Sequence, residues 1–270
     1  MRNMILVLLG FVCVPLFSQE ADSVFMSVVY KAGYMYTKSD SLNGGDVMML
    51  DIGKRSSHFF SEYERLNRKA IDDMNRSGSI SMTRLREQTK GYGAAQRYNV
   101  YKNFPAEGKL LYTEDVFSDE FEYEEDMPKI SWDYLEGDTL ICGYKCQKAV
   151  GKLRGRTWNV WFTPDIPVQD GPWKLCGLPG LILQAEESEH IFWFKCEGIE
   201  RSKGKVVKKA KGKFVKCTPE KLQSLLIESR KNFNVYLEKY LGFKMVEDMR
   251  KRYGEDAVKD KEYYLMEYYY

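Results

Sequence analysis

Two histidines, His58 and His190, are all the imidazole in 270 residues, which makes a multi-histidine metal centre or a histidine relay hard to assemble. His190 stands beside Glu186, Glu187 and Glu189. That grouping could shuttle a proton, but a polar turn between two strands accounts for it more simply. Cys142 and Cys146 have the spacing of a metal pair. In a strand, residues four apart lie about 13 Å from each other, too far to share an ion without a turn, and Cys-x-x-x-Cys is not the two-spacer redox motif. The chain has no Gly-x-Ser-x-Gly nucleophile elbow, while a pair of glycosidase carboxylates would leave no spacing signature among 39 acids. Eight acids lie between Glu114 and Asp126 with no base among them. Lacking an Asp-rich loop with a glycine turn, they read as a solvated strand face rather than a calcium site. Enzyme is therefore the weakest functional class, and the sequence nominates no catalytic residue, metal ligand or cofactor.

The elements that would position these groups belong to a globular chain, 44% hydrophobic and 14% aromatic. Net charge is +2, so bulk electrostatics names no polyanionic partner and nucleic acid has little support. Met1-Arg2-Asn3, an uncharged apolar run from Ile5 to Phe17, and the small Ser18 follow the order of a secretory signal peptide. Residues 1–18 are expected to be removed, leaving 19–270 as a single exported domain. No later stretch is long and apolar enough to span a bilayer. After such a cleavage Cys142, Cys146, Cys176, Cys196 and Cys217 remain, and in an oxidising compartment disulfides are the default. The odd number leaves at least one thiol free or paired between chains.

The remaining chain reads as many short strands with helices inserted. Strands are expected at 23–36, 46–52, 57–60, 97–104, 109–115, 119–125, 140–153, 157–163, 181–186 and 191–199, from β-branched and aromatic enrichment between turn signals. Ser61 with Glu64 forms a capping box that opens a helix over 61–75. Thr218-Pro219 opens another, carrying an apolar stripe that ends near Gly242. Eight bases between Arg201 and Lys216 read as a Lys-decorated edge hairpin, with anionic headgroups as the alternative. The tyrosine-rich end, 263–270, is a candidate last strand.

One segment is more specific. Gly171-Pro172-Trp173 and Gly177-Leu178-Pro179-Gly180 bracket three residues and precede Leu181-Ile182-Leu183. Proline fixes a backbone angle and glycine permits angles that other residues avoid, so the segment is a rigid loop. It could be a covering flap, a binding rim or simply packing against the sheet, and packing is the favoured reading. With Trp161-Phe162-Thr163, Ile166-Pro167 and Gly143 to Ala149, this string resembles the GLPGLI family, also called Porph_ging, of exported Gram-negative bacterial proteins. Leu50 to Gly53 and Ser57 to Ser61 resemble its opening strands. The resemblance implies an envelope role, in the periplasm or at the outer membrane or cell surface, and carries no established activity. It also marks Cys142 and Cys176 as additions where small residues are expected, so those two are a candidate disulfide.

The expected fold is β-rich α+β, a curved antiparallel sheet or half-open β-barrel with two or three helices packed on it. The expected function is binding of an apolar ligand or lipid within the curved sheet, with Trp161, Trp173, Leu178, Pro179, Gly180 and Leu181 as lining or lid. The alternative is an accessory module docking an outer-membrane or secretion partner.

Overall fold

The computed structural model describes residues 22–35, 44–77, 96–255 and 265–268. The expected signal peptide and residues 78–95 lie outside the described residues. Strands β1 (Asp22–Tyr34), β2 (Gly44–Gly53) and β3 (Ser57–Ser61) precede helix α1 (Glu62–Arg76). Strands β4 (Asn99–Lys102), β5 (Lys109–Val116) and β6 (Asp119–Asp126) extend the first meander. A second meander comprises β7 (Trp132–Ile141), β8 (Tyr144–Leu153), β9 (Arg156–Thr163), β10 (Leu181–Glu187) and β11 (Phe192–Arg201). Short strands β12 (Val206–Val207) and β13 (Phe214–Lys216) lead to helices α2 (Pro219–Lys231), α3 (Phe233–Leu241) and α4 (Phe243–Tyr253).

All the strands form one unclosed sheet in the order β13-β6-β5-β4-β3-β2-β1-β11-β10-β9-β8-β7, with β12 pairing β1 off this path. Every neighbouring pair is antiparallel except β13 with β6, which makes the sheet mixed. The two meanders join where β1 pairs with both β2 and β11, Val28 facing Leu50 on one side and Ile199 on the other. Tight turns fix the registers: Cys142-Gly143 between β7 and β8, and Arg154-Gly155 between β8 and β9, each have two successive positive φ angles. That is the two-residue turn geometry whose twist matches the strands it joins.

Alternate residues of each strand meet different surroundings. The inner face gathers Val28, Tyr30, Leu50, Phe59, Val100, Tyr112, Trp158 and Phe194 into the main core. The outer face carries a smaller cluster of Val24, Tyr101, Leu111 and Val207. The sheet curls around the inner face closely enough for Arg154, at the β8–β9 turn, to pair with Glu125 on β6.

The Gly-Pro loop fills the space so enclosed. Trp173 is 1% exposed, and Leu175 and Leu178 are fully buried. Loop anchors come from strands throughout the sheet: Tyr30 Oη donates to the Ile182 carbonyl at 2.6 Å, Trp132 Nε1 to Cys176 at 2.9 Å, and Lys102 Nζ to Gly171 at 2.5 Å. Gly180 is required by close approach, since a Cβ there would lie 2.1 Å from the Thr163 carbonyl oxygen. Buried lysines are tolerated because they are paired: Lys102 with Asp170, and Lys174 with Glu125 and Glu267, each at 2.7 Å. Glu267 belongs to a terminal latch in which Arg156 also donates to the Leu265 carbonyl. The described tail, 265–268, contains no strand.

Three expectations are corrected. The acidic stretch is not a solvated face: Asp115 and Glu120 pair with Arg68, Glu122 with Lys209 and Glu125 with Lys174, because partners distant in sequence fold over both sides of it. The basic stretch is not a hairpin. It is a strap that starts on β1 at β12 and ends on the far edge at β13, with the Ala210 amide donating to Tyr101 Oη at 3.2 Å. The long C-terminal helix breaks at Asn232, whose φ of −117° and ψ of 37° leave the helical region, and a further helix, α4, follows Gly242.

Candidate functional site

Cross-strand register lays two rows of side chains over the outer face. One row runs Ser27, Asp51, His58, Tyr101 and Leu111; the next runs Val29, Met49, Phe60, Asn99 and Thr113. Their middle forms an aromatic floor. The His58 ring stacks on Tyr101 at 4.1 Å and 7° and on Phe60 at 4.5 Å and 26°. His58 Nε2 lies 3.0 Å from Asn99 Oδ1, and burial pulls the imidazole down to about 4, so it is neutral at physiological pH. Burial pushes Tyr101 up to about 12 and keeps it a phenol.

Helix α1 forms one wall. Ser61 caps it by accepting from the Glu64 amide at 3.0 Å, and donates to Asp46 at 2.9 Å. Burial raises the Asp46 carboxyl to about 6 in spite of the hydrogen bonds it accepts from Gln96 and Val47. Arg68 rivets the helix to the sheet, donating to Glu64 at 2.8 Å, Asp115 at 2.5 Å and Glu120 at 2.8 Å. Burial raises Asp115 to about 6, with Arg68 opposing the shift.

The strap forms the opposite wall. Lys205 Nζ reaches Ser27 Oγ at 3.2 Å and Asp51 at 3.3 Å, and Lys209 lies 4.5 Å over the Phe214 ring. Between these walls runs a groove of about 770 Å³, rimmed also by Lys208 and Lys211. A second depression of about 560 Å³ lies beyond the strap and shares Val206, Lys208 and Lys209 with it. The inner face retains a cavity of only about 80 Å³, between the β5–β6 tyrosines, α2 and the tail. Glu114 lines that cavity, and burial pushes its carboxyl up to about 7.

The candidate residues of the sequence reading lie elsewhere. Trp173, Leu178, Leu181 and Ile182 come together in the main core, joined by the buried Gly171, Pro172 and Gly180. Trp161 is half-buried on β9 beneath Lys148, and Gly177 and Pro179 are exposed. None of these residues lines the three cavities just described. Cys142 approaches Cys196 rather than Cys176, whose thiol faces the Pro128 carbonyl at 3.7 Å. All five described cysteines are free thiols. The floor residues His58, Phe60 and Tyr101 escaped the sequence reading. The signal for them is the run Ser57-His58-Phe59-Phe60, in which a two-residue period puts large rings on both faces and so requires both to be covered.

Fold and groove together define a wrapped β-sheet protein with a plugged interior and a walled outer face. The plug carries the family likeness: the model of the Porph_ging family, described as a protein of unknown function, matches residues 152–184, from β8 through the Gly-Pro loop into β10. No curated protein matches the chain. Solved structures of PNGF-II in two crystal forms are similar at TM-scores of 0.46, with 13% and 12% identity, over 77% of this chain. The chain spans about a third of the length of the PNGF-II chains, 34% and 33%. No helix among the described residues is long and apolar enough to cross a membrane.

Proposed function

We propose that residues 19–270 act as one exported, non-catalytic binding domain in the cell envelope, and that its ligand is an anionic amphiphile held in the outer groove. The carrying observation is the groove itself, since about 770 Å³ falls within the range of roughly 300–1,000 Å³ typical of small-molecule sites. An acyl or aryl body would lie along Met49, His58, Phe60 and Tyr101. Its anionic end would meet Lys208 and Lys211, with Lys205 and Lys209 already engaged by Asp51 and Glu122. The inner cavity is an inferior host, because about 80 Å³ equals two or three water volumes at about 30 Å³ each.

Native mass spectrometry of the full chain, exported to a periplasm and purified without detergent, tests this. The expected result is loss of the leader and an adduct of lipid mass, depleted in the Lys208→Glu, Lys211→Glu double variant. A bare protein, or an adduct indifferent to the double variant, counts against the groove. A second reading is favoured by terminal strand β7, which exposes Tyr134, Leu135 and Leu140 at 60%, 41% and 69%. Such an edge suits strand addition by a protein partner, although the bulge between Leu135 and Asp138 interrupts it.

A further inference from the structure

The β7–β8 turn places Cys142 at its tip, exposed, with φ of 50° and with Gly143 at 83°. The turn leans over the inner side of the sheet until Cys142 Sγ lies 3.4 Å from Cys196 Sγ and 3.4 Å from the Cys196 carbonyl. Cys196 is 3% exposed on β11. Close by on β8, Cys146 is 1% exposed and turned to the Tyr144 carbonyl at 3.5 Å. The remaining thiols have other neighbours: Cys176 faces Pro128, and Cys217 faces the Glu122 carbonyl.

We propose that Cys142 and Cys196 are a disulfide site, closed by exchange with an external disulfide that enters at the exposed Cys142. In the first step the Cys142 thiolate attacks one sulfur of the donor. That forms a mixed disulfide and releases one donor thiol. In the second, Cys196 loses its proton and attacks the Cys142 sulfur, closing the protein bridge and releasing the second donor thiol. Two protein thiols are oxidised and one donor disulfide is reduced to two thiols. Access sets the order of events, since only the Cys142 end is open to a donor. Burial raises the Cys196 thiol above its ordinary range, which opposes the proton loss that the second step requires.

The two residues are 54 apart in sequence, and the span between them contains the whole Gly-Pro loop. The bridge would therefore close a covalent ring that includes the core plug and tie the hairpin tip to β11. Removing a cross-link of this span should lower the thermal midpoint by about 10 °C.

The test is peptide mapping of the full chain after incubation with oxidised glutathione and trapping of free thiols with N-ethylmaleimide. Trypsin cuts after Lys145, Lys148 and Lys195 and so separates the three clustered cysteines into 130–145, 146–148 and 196–201. The expected species is 130–145 linked to 196–201, with 146–148 and the Cys176 peptide alkylated. Cys142→Ser, at an exposed position that should tolerate the change, abolishes the species and makes the midpoint insensitive to reductant; Cys176→Ser changes neither. Alkylation of both Cys142 and Cys196 in the oxidised protein, or linkage of Cys142 to Cys146 or Cys176, overturns the proposal.

Discussion

The two faces of one sheet are finished in opposite ways, although the same strands supply both. Inside, residues such as Tyr30, Leu50, Phe59 and Tyr112 meet a loop whose own large side chains are as buried as theirs. Outside, Ser27, Asp51, His58 and Asn99 sit among polar partners, and α1 and the strap enclose a groove of about 770 Å³. A two-residue period with aromatic rings on both phases allows this: one phase is consumed by the core, the other faces the groove between α1 and the strap. The difference teaches that the most distinctive segment of the sequence need not line the open surface. Here it is the structural plug, and the open surface is built from less distinctive residues.

Breaking the plug should have the largest effect. Leu178→Ala removes a fully buried side chain from the main core and should cost about 2–5 kcal/mol in urea unfolding. Lys174→Ala takes the shared buried cation from the Glu125 and Glu267 carboxylates, and with Arg154 still paired to Glu125 the loss should be about 3 kcal/mol. Neither variant should alter the amphiphile's affinity for molecules that remain folded. On the outer face, Arg68→Ala releases α1 from Asp115 and Glu120. Because the guanidinium is 39% exposed, the expected cost is smaller, about 1 kcal/mol, seen as faster hydrogen exchange in α1.

Titration separates the faces by sign. Glu114, raised from 4.5 to about 7, keeps a proton in the folded state that the unfolded chain has released. It therefore weakens stability as pH rises from about 4.5 to 7, and Glu114→Gln should gain on the wild type across that window by an amount on the order of 1–3 kcal/mol. His58, lowered from 6.5 to about 4, behaves oppositely. The folded state resists a proton that the unfolded chain accepts, so His58→Gln should gain on the wild type as pH falls from about 6.5 to 4. Urea midpoints of both variants at stepped pH check the two slopes. The smallest change is expected for Lys208→Glu with Lys211→Glu, within about 0.5 kcal/mol in stability yet with clear loss of amphiphile binding.

Local chemistry made much of this architecture legible. The Ser61 cap, the Thr218-Pro219 helix start and the strands near 109–126, 157–163 and 181–199 follow from turn signals and period and are present, whereas the strand expected over 140–153 breaks at Cys142-Gly143 into β7 and β8, and most of β7 escapes the sequence reading. The Gly-Pro segment could be read as a rigid loop because proline and glycine act locally. What stayed hidden is what depends on distant partners. Nothing around Glu122 or Glu125 announces Lys209 or Lys174, and nothing in the basic stretch announces that it crosses the sheet instead of turning back. The break at Asn232 was hidden for a different reason: an apolar stripe continues through it. The groove could be found only by knowing that β1 to β5 align Ser27, Asp51, His58 and Tyr101 in one row.

The most direct test is an amide NMR titration of the full chain with laurate below its critical micelle concentration. The expected shifts centre on Met49, 58–68, 99–101, Thr113, Asp115 and 204–211, with 171–183 unmoved. Shifts centred on 171–183, or on the inner-cavity residues Tyr98, Leu222 and Leu226, with the outer rows silent, would contradict the outer groove and return the binding site to the interior.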